Sequence, residues 1–246
     1  MGMVKVSIVT VCRNSQQVIA KTIESVLNQS YGSIEYIIVD GHSQDKTLDI
    51  IRSYETVFLE KGYDYRVISE DDEGIYDAMN KGIRLAHGEL VGLINSGDWY
   101  ELQAVQRVVE TYENTPFDMF YADLRIWRNG KAMIKRARLR RFVTTRDWNH
   151  PTTFIRRELY QLYHYACIGI YDDWDLVLQI RRAGYKVVVL NEMLADFCFG
   201  GVSNEKNIKA AFARMCERYR IYRKNGFSRL YLFECILMET VKHLAA

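Results

Sequence analysis

Residues 34–55, IEYIIVDGHSQDKTLDIIRSYE, contain a β-branched apolar run, a polar turn and then an amphipathic segment. The run is typical of a buried strand and the segment of a helix, because its apolar side chains recur at helical spacing. The same order of strand and helix recurs around predicted strands at 6–11, 65–69 and 90–95. Four such units in a row predict a mostly parallel sheet covered by helices on both faces.

The pattern changes after Pro116. An antiparallel ribbon is predicted there, because Asn129-Gly130 favours a tight hairpin turn between two strands. Further along, the sequence predicts a helix at 174–185, strands at 186–191 and 194–199, and helices across 205–244. We therefore predict an α/β domain at 1–204, with a first half at 1–115 and an α+β half at 116–204, followed by a helical extension at 205–246.

Composition restricts the classes of function. The chain has 246 residues, 48% of them hydrophobic, which is enough for a buried core. Lys and Arg number 33 against 31 Asp and Glu, so we expect no nucleic-acid partner. Five scattered cysteines argue against a disulfide framework and a zinc site. With no signal-peptide pattern and no apolar run of roughly 20 residues, we expect a cytoplasmic protein.

Polar residues follow each of the four strands predicted in the first half. Ligands of open parallel sheets bind beyond the carboxyl ends of the strands. The stretches are Cys12-Arg13-Asn14, Asp40-Gly41-His42-Ser43, Ser69 to Gly74, and Asn95-Ser96-Gly97-Asp98. Turns and helix caps favour the same residue types, so one stretch alone is more often structural. The GxGxxG and GxxxxGK[ST] motifs are absent, which argues against a dehydrogenase and a P-loop ATPase.

Four blocks of the sequence resemble the family-2 glycosyltransferases, bacterial enzymes that build surface polysaccharides. The blocks are VSIVTVCRNSQQVIAKTIESVLNQSY, EYIIVDGHSQDKTLDII, SEDDEGIYDAMNKGIRLAHGELVGLINSGDWY and YDDWDLVLQIRRAGY. Their combination in one order, over about residues 4–203, is more specific than any single block. The resemblance implies the GT-A fold, a Rossmann-like, mostly parallel sheet flanked by helices. It also implies transfer of a hexose-type sugar from a nucleotide donor, most often UDP-linked, to a growing glycan or lipid-linked acceptor.

The resemblance also implies a set of donor-binding residues. They are Thr10, Arg13, Asp40, Asp72, Asn80, Lys81, Asn95 and Asp98. Asp40 would bond the uracil or the nearby ribose, and Asp72 would lie close to both. For Asn80 and Lys81, an ordinary helix surface is an equal alternative.

Residues 95–98 depart from the family pattern. Family members often have Asp-Ser-Asp-Asp there, and this DxD motif coordinates Mn²⁺ or Mg²⁺ on the phosphates of the donor. Here Asn95 and Gly97 replace the two DxD aspartates, which leaves Asp98 as the only carboxylate. A cation bound mainly by phosphates and water needs only one or two protein carboxylates. Weak metal binding through Asp98 and metal independence are both open.

The resemblance implies a catalytic base at Asp173, in a helix-starting block that includes Asp172 and Trp174. An inverting displacement needs one carboxylate to take the proton of the acceptor hydroxyl. We place Asp172, Trp174 and His150 on the acceptor or phosphate side. The alternative for the acids of this block is that they only complement the dipole at the start of the helix. The alternative for His150 is a purely structural role. The family has a mobile loop near the donor at the position of GGVS, residues 200–203.

Two basic segments suggest further partners. Residues 131–146, KAMIKRARLRRFVTTR, contain no acid. This segment could bind the diphosphate of a lipid-linked acceptor or an anionic membrane surface. Equally, it could be a solvated edge of the ribbon whose charges prevent aggregation. Three roles are open for the C-terminal helices: they cap the core, form an oligomer or lie on a membrane. We expect core capping unless the structure indicates otherwise. A peripheral location at the inner face of the membrane is therefore expected. The rival functions are a sugar-nucleotide-forming nucleotidyltransferase and a catalytically weak UDP-binding scaffold.

Overall fold

The first half of the chain forms the four predicted strand-helix units. The structure is a computed structural model that describes residues 2–198 and 208–244. The strands are β1 (Val6–Cys12), β2 (Ile34–Asp40), β3 (Asp64–Ser69), β4 (Leu90–Leu93) and the short β5 (Trp99–Tyr100). The helices are α1 (Ile19–Leu27), α2 (Thr47–Ser53), α3 (Glu55–Glu60), α4 (Ile75–Leu85) and α5 (Ala104–Asn114). The helix predicted after β2 is a pair, α2 and α3, joined at Tyr54.

The second half mixes strands and helices. It contains β6 (Met119–Arg128), β7 (Lys131–Lys135), β8 (Phe154–Arg156), α6 (Arg157–Leu162), α7 (Asp172–Arg182), β9 (Val187–Cys198), α8 (Ile208–Lys224) and α9 (Tyr231–Leu244). Two 3₁₀ turns, Thr145–Asp147 and His150–Thr152, precede β8. The predicted hairpin is confirmed: β6 and β7 pair antiparallel, and Asn129 and Gly130 both have positive φ, at 50° and 73°.

One sheet contains all the strands of the described residues. β3, β2, β1 and β4 pair in parallel in that order, and β8, β6, β9 and β5 continue the sheet. β8 runs antiparallel to β4 and to β6, whereas β9 runs parallel to β6. Every residue of β1 and β2 is buried, as expected for parallel strands covered on both faces.

The prediction of two strands at 186–191 and 194–199 was wrong, because β9 is continuous to Cys198. Its register against β6 shifts around Asp123, which pairs with Met193 although Ala122 pairs with Leu190. The extra residues form a bulge. The Asn191 amide donates to Asp123 at 3.2 Å, and Glu192 accepts from Arg107 at 2.8 Å. Asn191 and Glu192, whose polarity suggested a break between two strands, therefore bond to residues outside β9.

The described residues form two compact units. The first contains 2–164 and 186–198, and its core includes Ile8, Ile38, Phe58, Phe120 and Phe154. The second contains 165–185 and 208–244, so α7 groups with α8 and α9. Its core is aromatic: Trp174, Phe227 and Tyr231 all pack on Tyr222. The division predicted at residues 204 and 205 stays a prediction. Among the described helices, none has the length and apolar character needed to cross a membrane.

Candidate active site

Three neighbouring strands of the first unit end level with one another. Cys12, Asp40 and Ser69 are register partners at the carboxyl ends of β1, β2 and β3. The loop after β4 joins the same edge, because the Ser96 N–H donates to the carbonyl of Val11 at 3.3 Å. The polar stretches predicted from the sequence therefore meet at one edge of the sheet.

Asp40 is fully buried at this edge. Its carboxylate accepts hydrogen bonds from the Ser43 N–H at 3.1 Å, from the Ser43 hydroxyl, and from the Ser69 hydroxyl at 2.7 Å. The Cys12 thiol lies 3.8 Å from the same carboxylate, and burial raises the pKa of that thiol. Both oxygens of Asp40 are engaged, so this side chain fixes the loop after β2 against β3.

Arg13 and Asp72 both lie beside the backbone of Gly41. A Cβ at position 41 would collide with the Asp72 carboxylate and would lie 3.5 Å from the Arg13 Cβ, so the close approach requires glycine. Asp72 also accepts the Gly74 N–H at 3.0 Å. Arg13 is exposed and forms no ion pair with the residues that the structure describes. Its guanidinium is therefore available to a phosphate.

Lys81 lies on α4 and holds the acidic loop after β3. Its ammonium contacts Glu70 at 3.1 Å, Asp77 at 3.2 Å and the Asp71 carbonyl at 2.6 Å. Partial burial by itself would lower the pKa of Lys81, but the hydrogen bonds and charges of Glu70 and Asp77 outweigh it and raise the pKa. Lys81 thus orders the loop that presents Asp72. Asn80, its neighbour on α4, is buried.

Thr10 lies below the edge, in the core. It is fully buried within β1, and its hydroxyl accepts a hydrogen bond from the Tyr36 hydroxyl at 3.0 Å. These contacts give Thr10 a packing role beneath the site. Sequence reasoning did not indicate Tyr36 as its partner, because the two residues are 26 positions apart.

The loop after β4 encloses Asp98. Its Oδ1 accepts the Cys198 N–H at 3.1 Å, and its carbonyl accepts the Thr22 hydroxyl at 2.7 Å. Gly97, with φ of 99°, donates its N–H to the same Thr22 hydroxyl at 3.0 Å. Burial raises the pKa of Asp98 to about 7, although the Cys198 hydrogen bond offsets part of this effect. Sequence reasoning missed Thr22 and Cys198, which hold this loop from α1 and β9.

Two buried side-chain oxygen atoms of the loop after β4 lack a hydrogen-bond partner among the described residues. They are Asn95 Oδ1 and Ser96 Oγ. Native proteins satisfy nearly all buried polar atoms with protein, water or ligand. These two atoms are therefore the positions of the edge that are best suited to a bound molecule.

The loop after β4 offers a divalent cation one carboxylate, that of Asp98. Mn²⁺ and Mg²⁺ take hard oxygen ligands, usually including an ionised carboxylate. Asp98 is buried and accepts a hydrogen bond, and burial without a cation raises its pKa to about 7, which disfavours its ionised form. The described residues contain no group of three or more His, Cys, Asp or Glu side chains suited to a metal. The role of Asp98 as a metal ligand stays a prediction that this donor set does not favour.

His150 begins the 3₁₀ turn that precedes β8. Phe154 pairs with Gly92 in the antiparallel register, so the residues just before it lie beyond the carboxyl end of β4. The Trp148 ring meets the imidazole edge-on at 5.8 Å. Burial lowers the pKa of His150 to about 4, which leaves the ring neutral at neutral pH. A neutral imidazole can donate and accept hydrogen bonds, but it brings no charge to a phosphate.

The first turn of α7, in the second unit, contains three acids. Asp172 is buried and accepts the Ile168 N–H at 2.8 Å. Asp175 is buried and pairs with Lys224 at 2.7 Å. Asp173 is half-buried, and its Oδ1 accepts the N–H of Trp174 at 2.7 Å. Asp172 and Asp175 thus hold the second unit together.

Trp174 belongs to the core of the second unit. It is almost fully buried and packs edge-on against Tyr222, with ring centroids 6.1 Å apart. This burial is typical of a packing role, and contact with an acceptor stays a prediction. The GGVS segment at 200–203, predicted as a mobile loop, lies outside the described residues.

Solved GT-A glycosyltransferases share this fold. Staphylococcus aureus TarS, residues 1–349, in complex with UDP-GlcNAc, matches with a TM-score of 0.69 at 16% identity, over 98% of this chain and 73% of that chain. Mannosyltransferase PcManGT from Pyrobaculum calidifontis, in complex with GDP-Man and Mn²⁺, matches with a TM-score of 0.70 at 15% identity, over 99% and 75%. At these identities the likeness shows the fold alone, and it confirms the predicted GT-A class.

Sequence comparison then shows the family. The model of glycosyl transferase family 2 matches residues 7–171. A PGL/p-HBAD biosynthesis glycosyltransferase of Mycobacterium bovis (strain BCG / Pasteur 1173P2) is 30% identical over 211 residues, which is 80% of this chain and 78% of that relative. The chain belongs to glycosyl transferase family 2 and is a glycosyltransferase. This confirms the resemblance found in the four sequence blocks.

Proposed function

We propose that the protein is an inverting glycosyltransferase that moves a hexose-type sugar from a UDP-linked donor to a growing glycan or lipid-linked acceptor in surface polysaccharide biosynthesis. The observation that supports this best is the polar edge of the first unit. There, Arg13 and Asp72 both lie beside Gly41, and Asn95 Oδ1 and Ser96 Oγ lack partners among the described residues. This edge offers a cation for a diphosphate and polar atoms for a ribose or base.

The donor residues have different tasks in this proposal. Arg13 binds the diphosphate, and Asp72 accepts a hydrogen bond from the ribose. Asp40 and Lys81 fix the loops from which these side chains project, because both have their polar atoms bound within the protein. UDP is proposed from the family resemblance and from the TarS complex with UDP-GlcNAc. PcManGT, with GDP-Man, makes a guanosine donor the alternative to test.

The proposed chemistry is a single displacement at the anomeric carbon. The acceptor oxygen forms a bond to that carbon while the bond to the diphosphate breaks, and Asp173 takes the hydroxyl proton. The family resemblance assigns this role to Asp173, which is half-buried in the first turn of α7. His150, neutral at neutral pH, would hydrogen-bond an acceptor hydroxyl. No step in this scheme depends on a cation held by protein side chains.

Peripheral membrane association at the cytoplasmic face forms part of the proposal. The basic segment 131–146 divides into two sets of side chains. Lys135 and Arg136 are engaged, with the Trp148 carbonyl at 2.6 Å and with Asp123 at 2.6 Å. Lys131, Arg138, Arg141 and Arg146 are exposed, together with the apolar Met133, Leu139 and Phe142. Exposed cations and apolar groups in one segment are suited to an anionic lipid surface near a lipid-linked acceptor.

Ligand-induced stabilisation tests the donor. The folding midpoint should rise with UDP and with a UDP-sugar more than with the guanosine equivalents, because a ligand that binds only the folded state stabilises it. Each nucleotide is tested with and without Mn²⁺, and Arg13→Gln is the variant expected to lose the effect. Stabilisation by GDP-sugars alone would replace the proposed donor. Pyrophosphate release from a nucleoside triphosphate and a sugar phosphate would instead support a nucleotidyltransferase.

Asp173→Asn tests the base. The amide keeps the size of the carboxylate, so folding and donor binding should persist while kcat falls by about 10²–10⁴-fold. The matched control is Asp175→Asn on the same helix turn, which weakens the contact with Lys224 and should lower thermal stability with little change in kcat. Near wild-type turnover in Asp173→Asn would contradict the mechanism.

A further inference from the structure

Helix α9 buries two acids, together with Tyr231 and Cys235, and exposes a row of apolar side chains. Glu234 and Glu239 point inward and are buried. The outward side chains are Leu232, Phe233, Ile236, Leu237 and Thr240, and Phe233 and Leu237 are 69% and 55% exposed. A surface helix normally buries its apolar stripe and exposes its charges. Single exposed apolar residues are common, whereas a contiguous apolar face marks a surface that another body covers.

Glu239, one of the two inward acids of α9, has partners on α8. Glu239 pairs with Arg214 at 3.1 Å and with Arg218 at 2.8 Å, and all three side chains are buried. Tyr231 packs on Tyr222 at 4.3 Å, which fixes the rotation of α9. Turning the apolar face inward would break the buried ion pairs and expose this aromatic contact. The outward apolar face is therefore a fixed feature of the second unit.

The exposed charged side chains of residues 208–240 are all positive. Residues 208–240 contain three acids, Glu217, Glu234 and Glu239. The last two are buried, and Glu217 is half-buried and accepts the Ile170 N–H at 2.7 Å. The exposed cations near the turn from α8 to α9 are Arg220, Arg223, Lys224 and Arg229. Of these, Lys224 pairs with Asp175 and Arg223 contacts the Phe227 carbonyl. Within the described residues, Arg220 and Arg229 have no acidic partner.

We propose that the outward face of α9 docks the second unit onto an anionic lipid bilayer, with Leu232, Phe233, Ile236 and Leu237 entering the interface and Arg229, just before α9, contacting a lipid phosphate. An apolar helix face next to Arg residues is the pattern of helices that lie in the plane of a membrane surface. A second copy of this chain fits less well, because a symmetric contact through this face would bring like charges together. The proposal concerns docking and does not depend on the sugar transfer.

Flotation of the full-length protein with vesicles tests the docking face. Binding is expected to vesicles of phosphatidylcholine and phosphatidylglycerol in equal parts, and to be weaker with phosphatidylcholine alone. The double variant Phe233→Ser/Leu237→Ser should lose at least about tenfold in affinity, since each large apolar side chain contributes about one tenfold step when removed from water. Leu59→Ser/Leu102→Ser is the matched control, since both leucines are 60% exposed in the first unit. This control should bind like the wild type.

Two further measurements keep the test decisive. Phe233→Trp retains an apolar ring, and the fluorescence of this variant should shift to shorter wavelength when anionic vesicles are added. Sedimentation velocity measures the mass of the wild type and of Phe233→Ser/Leu237→Ser without lipid. Three results would each overturn the proposal. They are vesicle binding that the double variant does not reduce, a fluorescence spectrum of Phe233→Trp that vesicles do not shift, and a wild-type dimer that the double variant dissociates. Transfer to a soluble acceptor should be unchanged in the double variant, so failure of docking is distinguishable from failure of the proposed activity.

Discussion

Asp98→Asn is predicted to stabilise the protein, and more strongly at alkaline than at acidic pH. The pKa of Asp98 rises from 3.8 to about 7 on folding because the carboxyl is buried. Below pH 3.8, the pKa of Asp98 in the unfolded chain, the side chain is protonated in both the folded and the unfolded state. The protein then has its full free energy of unfolding. As the pH rises towards the folded pKa, only the unfolded state ionises, and stability falls by about 1.36 kcal/mol per pH unit. The full loss, about 4 kcal/mol, is reached above pH of about 7.

An asparagine at position 98 cannot ionise, and its Oδ1 can still accept the Cys198 N–H. Asp98→Asn should therefore gain about 4 kcal/mol at about pH 8, but only about 1.5 kcal/mol at about pH 5. Urea denaturation of both proteins at the two pH values measures this difference. Asp77→Asn is a control of opposite sign: hydrogen bonds, first from the Glu73 N–H and then from Lys81, hold the pKa of Asp77 below its usual value of 3.8. Both test pH values lie above 3.8, so this variant should lose nearly the same stability at each of them.

Equal stabilisation by Asp98→Asn at both pH values would refute the argument from burial. A variant less stable than the wild type at about pH 8 would show that the native carboxylate is ionised and held by a donor or a cation. Repeating the alkaline measurement with Mn²⁺ separates these two cases, because a bound cation would stabilise the wild type but not Asp98→Asn. The same experiment therefore tests whether this loop uses a metal.

Three other predictions concern separate parts of the first unit. Asp40→Ala should weaken UDP binding by about 1–3 kcal/mol in calorimetry, since the loop after β2 loses its acceptor; unchanged affinity in a folded variant would remove Asp40 from the donor site. Because burial lowers the pKa of His150 to about 4, His150→Gln should leave the shape of the kcat profile around neutral pH unchanged, and a lost limb would show that His150 titrates there. Replacing Arg138, Arg140 and Arg141 by Gln should reduce the salt-sensitive part of vesicle binding, at about 1 kcal/mol per Arg, and undiminished binding would exclude this segment.

The strands of the first half were predictable because each contains β-branched or aromatic residues and ends in a polar turn. β2 (Ile34–Asp40) coincides with the β-branched run that begins the stretch 34–55, since both of its faces are covered. β9 was less predictable because its polar bulge residues are satisfied by Asp123 and Arg107, which are far away in the sequence. The orientation of α9 was not predictable either. Its sequence has apolar residues on both sides, and the ion pairs of Glu239 and the packing of Tyr231 on Tyr222 determine which side faces inward.

The polar residues at the carboxyl edge illustrate the limit for site prediction. Sequence reasoning identified the four stretches but could not distinguish side chains that hold the edge from those that await a ligand. Asp40 and Asp98 are the charged residues that the family pattern makes most prominent, yet both are buried and hydrogen-bonded within the protein. Arg13 is exposed, and Asn95 Oδ1 and Ser96 Oγ lack partners among the described residues, although nothing in their residue types marked them. A buried carboxylate that is already satisfied gains little from a ligand, whereas an unsatisfied amide or hydroxyl gains a full hydrogen bond. Donor affinity should therefore depend more on the neutral residues of the loop after β4 than on its single aspartate.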